Sequence, residues 1–440
     1  MSFESIQQEG LLHFQNLLRI NTTNPPGNEI EAIKYIASVL DREKISYEIF
    51  EPQKGRASLV ARLPGNGSKK PLLLTGHVDV VPAEKEKWSV DPFAAEIKDG
   101  CVWGRGAVDM KHMVAMSLMM MLQAKRENLK LNRDLILACV ADEEAGCEWG
   151  SKWLVENKPD LIRAEYALNE VGGFSLTLDD HIFYPIGVAE RGFCWFEIIV
   201  EGDPGHGSLP HHNQANVKIS KIVTDLFRKK FSFHKHPVVQ EFVRELSTSQ
   251  KPPKNWILKL LSVPFLNSFI VNKLMPDKKK ARSFYAMYHN TVSPTVLRSG
   301  SKVNVIPGEA SLLVDGRIVP GSTVNEFLEE IRKVIGLEAK IKTIHFRDPT
   351  VMEYKNDFFE MLGSVLKKHD PKAIPVPYLV PGFTDATYYK ELGIKCYGFT
   401  PLKLPADLNF SDLFHGHNER LPVESFYFGL RVMEDLVRRI

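Results

Sequence analysis

Two short apolar runs constrain this 440-residue chain more than anything else in it: Pro71-Leu-Leu-Leu-Thr75 and Leu135-Ile-Leu-Ala-Cys-Val140. Runs of that length bounded by turn residues predict strands buried on both faces, and such strands need helices to cover them. Each run ends in ionisable residues, Gly76-His-Val-Asp79 after the first and Asp142-Glu-Glu-Ala-Gly146 after the second. The carboxyl ends of buried strands are where open α/β sheets keep their ligand sites. Helical spacing recurs at 11–20 and 32–40, separated by the breaker Asn24-Pro-Pro-Gly-Asn28. Residues 114–124 are apolar almost all round and carry four methionines, which predicts a buried helix. Strands alternating with helices indicate an α/β layered domain.

At roughly 150 residues per folding unit, two or three units are expected. The style changes near Arg191, where Cys194-Trp-Phe-Glu-Ile-Ile-Val200 looks like the first strand of a new unit. Residues 227–290 look basic and irregular, residues 302–319 alternate as antiparallel strands do, and helix–strand alternation returns from about 322. The expected organisation is a discontinuous α/β domain (1–190 and 319–440) interrupted by a smaller α+β domain (191–318) that carries an insert at about 227–290.

Composition excludes several classes. With 44% apolar and 25% charged residues the chain is an ordinary globular one, neither collagen-like, mucin-like nor disordered. A net charge of +2 gives no reason to expect a nucleic-acid partner. Five cysteines, an odd number with no C-x-x-C pair, suit a reducing compartment, and no basic n-region with an apolar core opens the chain, so a cytoplasmic location is expected. No apolar run approaches the ~18 residues of a transmembrane helix.

The chemistry resides in five short segments. His77 and Asp79, two apart in extended chain, project to one face, where a carboxylate can fix an imidazole's tautomer. Asp109, in Gly104-Arg-Gly-Ala-Val-Asp109, precedes the apolar helix and is either its cap or a ligand. Asp142, Glu143 and Glu144 are adjacent carboxylates after a buried strand, costly unless a cation neutralises them, and neighbours cannot share one orientation. Asn169-Glu170 follows a third apolar segment, and His415-Gly-His-Asn-Glu419 lies in a late loop. Two imidazoles and three carboxylates suit two zinc ions sharing a bridging carboxylate, with cobalt or manganese as substitutes. No cysteine pair has zinc-finger spacing, and neither a G-x-S-x-G elbow nor a phosphate-binding G-x-x-x-x-G-K-[ST] loop occurs.

The ordered set of motifs resembles the co-catalytic di-zinc peptidase and deacylase family of aminoacylase, acetylornithine deacetylase, succinyl-diaminopimelate desuccinylase and the glutamate-releasing and yeast-type carboxypeptidases. It runs from Gly76-His-Val-Asp-Val-Val-Pro82 through Gly104-Arg-Gly-Ala-Val-Asp-Met-Lys111, Asp142-Glu-Glu-Ala-Gly146, Gly205-His-Gly-Ser-Leu-Pro210 and Lys302-Val-Asn-Val-Ile-Pro307 to Asp315-Gly-Arg-Ile-Val-Pro320 and His415-x-x-Asn-Glu419. The resemblance implies a ferredoxin-like lid and dimerisation domain, two zinc ions per chain, and cleavage of the amide bond of N-acyl amino acids or small peptides with a free carboxylate. The alternatives are a dipeptidase or carboxypeptidase and, more remotely, an inactive binding protein on the same scaffold. It further implies that His77 and Glu170 hold one zinc, Glu144 and His415 the other, and that Asp109 bridges them. Glu143 would be the general base, with Asp79 supporting His77. His206 would polarise the scissile carbonyl, reaching into the partner subunit of a homodimer, and Asn304 and Arg317 would contact the substrate carboxylate. Family members often carry a cis peptide after the bridging aspartate, here Asp109–Met110. Segment 227–290 has no counterpart in the resemblance, and its apolar stretch 256–275 is open to two roles, extra helices on the smaller domain or the lining of an acyl pocket that includes Leu261 and Phe265.

Overall fold

The computed structural model describes residues 3–275 and 277–440, without the side chain of Lys279; Met1 and Ser2 of the expected first domain and Pro276 of the insert lie outside the described residues. The chain forms two units, one of residues 1–188, 352–377 and 384–440, the other of 189–351 and 378–383.

The first unit is built on a mixed sheet whose strands follow the order Tyr47–Gln53, Arg56–Leu63, Leu135–Val140, Leu72–His77, Tyr166–Asn169, Lys395–Gly398 and His181–Glu190. The four from Leu135–Val140 to Lys395–Gly398 are mutually parallel, and the flanking strands are antiparallel. Leu72–His77 and Leu135–Val140 are buried at every residue, as parallel strands covered on both faces must be. The helix Lys111–Arg126 packs against Leu72–His77 and between helices Phe3–Arg19 and Val423–Val437. It is rich in Met, Leu, Ala, Lys and Gln, all good helix formers, and every residue from Lys111 to Ala124 is buried. Its first residue, Lys111, is wholly buried, and its Nζ donates to the carbonyls of Leu17 (3.0 Å) and Ile20 (2.8 Å). Burial pushes the Lys111 ammonium down to about 7, while carbonyls at the C-terminal end of Phe3–Arg19 favour a donor there.

The second unit holds a four-stranded antiparallel sheet in the order Thr291–Ser299, Glu309–Ile318, Gly192–Glu201, Lys340–Arg347. Helices Ala215–Arg228 and Val324–Ile335 cover one face, and Phe196, Ile198, Leu312, Val314, Phe327 and Ile331 form the core between them. Glu309–Ile318 buries every second residue, the signature of a strand with one covered face. Thr323 and Glu326 form a capping box that starts the second helix. With strands and helices in the order βαββαβ, this is the expected ferredoxin-like arrangement.

Three expectations are corrected. The second unit continues past 318 to 351, because the helix Val324–Ile335 and strand Lys340–Arg347 complete its own core and sheet, and residues 378–383 also belong to it. Segment 227–290 is mostly helical, with Pro237–Thr248, Lys254–Leu260, Pro264–Phe269, a π turn at Ile270–Leu274, and Lys278–Tyr288. Two of its prolines, Pro237 and Pro264, sit at helix starts, where the missing N–H costs nothing. Residues 302–305 make no long strand: only Val305–Ile306 pairs, with Gly205–His206. Among the described residues no single helix is long and apolar enough to cross a membrane.

Candidate metal centre

Five chain segments deliver ionisable side chains to one cluster in the first unit, buried except for the exposed His415. His77 is the last residue of strand Leu72–His77, Glu143 and Glu144 open a short turn after Leu135–Val140, Glu170 follows Tyr166–Asn169, Asp109 stands two residues before the buried helix, and His415 comes from the late loop. Asp109 lies between the two histidines. Its Oδ1 is 3.1 Å from His77 Nε2 and its Oδ2 is 3.1 Å from His415 Nε2. Glu170 lies 3.7 Å from His77, and Glu144 lies 3.2 Å from His415. Glu143 Oε2 is 3.9 Å from His77 Nε2. His77, Asp109 and Glu144 form one group able to share a cation, and His77, Glu143 and Glu170 another. The Asp109–Met110 peptide is cis.

The electrostatics of this cluster call for positive charge. Burial, then the Glu170 charge, pushes the Glu143 carboxyl well above the ordinary range. Burial and Asp109 raise Glu144, and burial raises Glu170 to about 8. Asp109 is held low against its own burial by the two imidazoles. Hydrogen bonds to Asp109 and Glu144 lift His415 to about 10. Glu144 Oε1 is buried with no hydrogen-bond partner, an acceptor left for something other than protein. Divalent cations fit this donor set of imidazole and carboxylate: they would replace the imidazolium protons and relieve the crowding of carboxylates.

Around the cluster, buried groups set its orientation. His77 Nδ1 is 3.0 Å from the Asp79 carbonyl and 3.4 Å from Asp79 Oδ1, so a proton on Nδ1 leaves the Nε2 lone pair facing Asp109 and Glu170. The Asp79 carboxylate does more than support His77. It accepts the backbone N–H of Glu143 (3.2 Å) and of Glu144 (3.1 Å), and the Asn24 side-chain amide (2.9 Å). One carboxylate thus holds the turn that carries both glutamates. Asp142, in the left-handed region at φ +68°, is fixed by Arg56 Nη2 (2.6 Å) and Asn24 Nδ2 (3.1 Å), and Glu29 holds the same guanidinium. Left-handed backbone at a residue with a Cβ persists when its surroundings hold it.

Glu419 does the same for Asp109. It is wholly buried, and its two oxygens accept the N–H groups of Gly106, Val108 and Asp109 and a 2.7 Å hydrogen bond from Arg105 Nη1. Glu419→Ala leaves the Arg105 guanidinium buried and unpaired. The expected loss is about 3–5 kcal/mol in unfolding free energy, read by denaturant titration; a loss under about 1 kcal/mol would show that Arg105 finds water instead. Glu419, Asn24, Arg56 and Glu29 are not among the site residues expected from sequence. Glu419 was visible inside the H-x-x-N-E pattern, whereas nothing in sequence links Glu29 and Arg56 to Asp142.

His417, two residues beyond His415 in the same loop, lies 3.5 Å from Glu84. His206 is exposed in the second unit, in the short strand Gly205–His206, with Nδ1 2.7 Å from Ser208 Oγ. Asn304 stands on an exposed turn, its carbonyl accepting the Gly207 N–H. Arg317 Nε and Nη2 already grip Asp315 at 2.9–3.2 Å, and its guanidinium lies 5.8 Å from the Phe383 ring centre.

The sequence profile of peptidase family M20/M25/M40 matches residues 73–439. Aminoacylase-1 of Dictyostelium discoideum is 28% identical over 442 residues, covering 98% of each chain. An N-fatty-acyl-amino acid synthase/hydrolase of Xenopus tropicalis is 28% identical over 81% of this chain and 69% of its own. Among solved structures, a metallo-carboxypeptidase of Sulfolobus solfataricus superposes with a TM-score of 0.75 at 18% identity over 98% of both chains, a likeness of fold.

Proposed function

Since the chain belongs to peptidase family M20/M25/M40, we propose that it is a di-zinc amidohydrolase releasing amino acids from N-acyl amino acids, with Glu143 as its general base. It is a metallohydrolase of acyl amino acids or peptides, as its aminoacylase and carboxypeptidase relatives are. The deacylase reading is supported by the likeness to aminoacylase-1, which runs the full length of both chains. The observation that carries the two-metal assignment is Asp109, whose two oxygens face one imidazole each at 3.1 Å. In this assignment His77 and Glu170 hold one zinc, Glu144 and His415 the other, Asp109 bridges, and cobalt or manganese can substitute.

When bound, the two cations polarise the scissile carbonyl and acidify the attacking water. Glu143 takes the proton of that water. With cations bound beside it, its buried carboxylate is placed to accept that proton and then hand it to the leaving nitrogen. His206 donates from Nε2 to the developing oxyanion, because Nδ1 accepts the Ser208 N–H at 3.2 Å. Asn304 and Arg317 receive the substrate carboxylate; with Nε and Nη2 on Asp315, the arginine does so through Nη1. The second unit acts as lid and homodimer interface, and the setting is cytoplasmic, in keeping with five cysteines that form no disulfide.

The test is a hydrolysis screen of N-acyl amino acids and dipeptides on zinc-loaded protein with metal content measured alongside. Higher kcat/KM on acyl amino acids supports the deacylase, a preference for dipeptides makes it a dipeptidase, and zinc-loaded protein inert on both overturns the proposal. His206→Ala should lower kcat by about 10²–10³-fold, the cost of losing one oxyanion donor, at unchanged zinc content. A mixed dimer of His206→Ala and Glu143→Ala chains should regain part of the activity, since one of its sites keeps both groups. Verified mixed dimers without recovery would place His206 in its own subunit's site or outside catalysis.

A further inference from the structure

The insert presents a surface that amide hydrolysis does not use. Helix Lys254–Leu260 and the segment Pro264–Leu274 meet at a bend of 120°. Trp256 and Leu260, four residues apart, share one face of the first arm, and Phe265 and Phe269 share one face of the second. The π turn that follows, closed by Met275 N–H on the Ile270 carbonyl, brings Leu274, five residues on, toward the row of Phe269. These side chains are turned outward: Phe265 is 80% exposed, Trp256 60%, Phe269 54%, Leu274 51% and Leu260 40%. The inner side of the pair is already satisfied. Leu261, Ile270 and Val271 are buried, Asn267 donates to the Leu261 carbonyl (2.8 Å) and lies 3.1 Å from His289 Nε2, and Ser262 meets the Tyr288 hydroxyl (2.9 Å). Leu261 and Phe265 therefore face opposite ways, and Phe265 does not line an acyl pocket inside the unit.

The charge around these exposed apolar rows is strongly one-sided. Residues 251–282 contain eight Lys or Arg and a single Asp, a surplus of seven in a chain whose entire surplus is two. Lys259, Lys273, Lys278 and Lys280 are exposed. We propose that the bent pair 254–274 docks this protein on an anionic lipid bilayer. Its aromatic and leucine side chains seat at the boundary between headgroups and acyl chains, and the lysines lie among the phosphates. Arms of 7 and 11 residues are too short to cross a hydrocarbon core about 30 Å thick, so the pair lies in the interface. Charge also decides against a second copy of the chain, because two such faces would bring like surpluses together.

The test is co-sedimentation of the full chain with vesicles of phosphatidylcholine alone or with about one-third phosphatidylglycerol. Binding is expected to the anionic vesicles, weakening as salt shortens the screening length. Trp256→Ser/Phe265→Ser/Phe269→Ser should lower the partition coefficient at least about tenfold, and Lys259→Glu/Lys273→Glu about tenfold or more. All five positions are solvent-facing, so the wild-type thermal midpoint should be kept and loss of fold is separable from loss of binding. The proposal is overturned if the wild type ignores anionic vesicles, if it binds neutral ones equally, or if the triple variant binds as the wild type does. It is also overturned if that variant converts a dimer to monomers without any lipid binding, which would make the face a contact between copies.

Discussion

Glu143→Gln is expected to lower kcat by about 10⁴-fold, equivalent to about 5.5 kcal/mol of transition-state stabilisation, with two metal ions per chain retained. The amide keeps the size of the carboxyl but cannot take a proton from water. Its position supports the separation of roles: Glu143 and Glu144 hang from consecutive N–H groups on the same Asp79 carboxylate, yet only Glu144 reaches His415, while Glu143 stands 3.9 Å from His77. Elemental analysis beside steady-state kinetics separates the outcomes. If Glu143→Gln loses a metal while Glu144→Gln keeps both and loses turnover, the two roles are exchanged. If Glu143→Gln keeps more than about a tenth of wild-type kcat, another group is the base.

Asp109→Ala is expected to empty both metal positions and to remove activity by at least about 10⁴-fold. Each cation would lose its oxygen of the shared carboxylate, and His77 and His415 would lose the carboxylate that lies 3.1 Å from both. Thermal unfolding gives a second readout. Metal present at a thousand times its dissociation constant stabilises the native state by about 4 kcal/mol, so chelation should lower the wild-type midpoint while leaving that of Asp109→Ala where it is. Retention of one tightly held zinc by the variant would show that His77 and Glu170, or Glu144 and His415, form a site without the bridge. Retention of two would show that Asp109 is not the bridge.

Much of this centre was legible because its residues lie at the ends of elements with strong patterns. Leu72–His77 and Leu135–Val140 are apolar without interruption, so the residues that follow, His77 to Asp79 and Asp142 to Glu144, could be placed at the carboxyl edge of a sheet before any coordinates. The buried helix declared itself through its methionines, and Asp109 through its place just ahead of it. Irregular backbone hid other parts. The helices of 237–288 are short and broken by prolines, so their periodicity never runs long enough to register, and the boundary at 351 depends on which sheet the strand Lys340–Arg347 joins, a long-range choice.

Residue chemistry and local period were enough to name the ligand types, the strand ends that carry them and the α/β character of the chain, because these follow from which side chains sit two or four residues apart. Only the folded chain could decide how they are held. Glu419 grips the loop of Asp109 from some 310 residues away. Arg56 and Asn24 converge on Asp142 from two separate segments. The outward turn of Phe265 against the buried Leu261 depends on a bend of 120° and on Asn267 anchoring the inner side. Such partnerships are buried polar contacts whose worth exists only once water is excluded, and exclusion of water is a property of the packed tertiary structure.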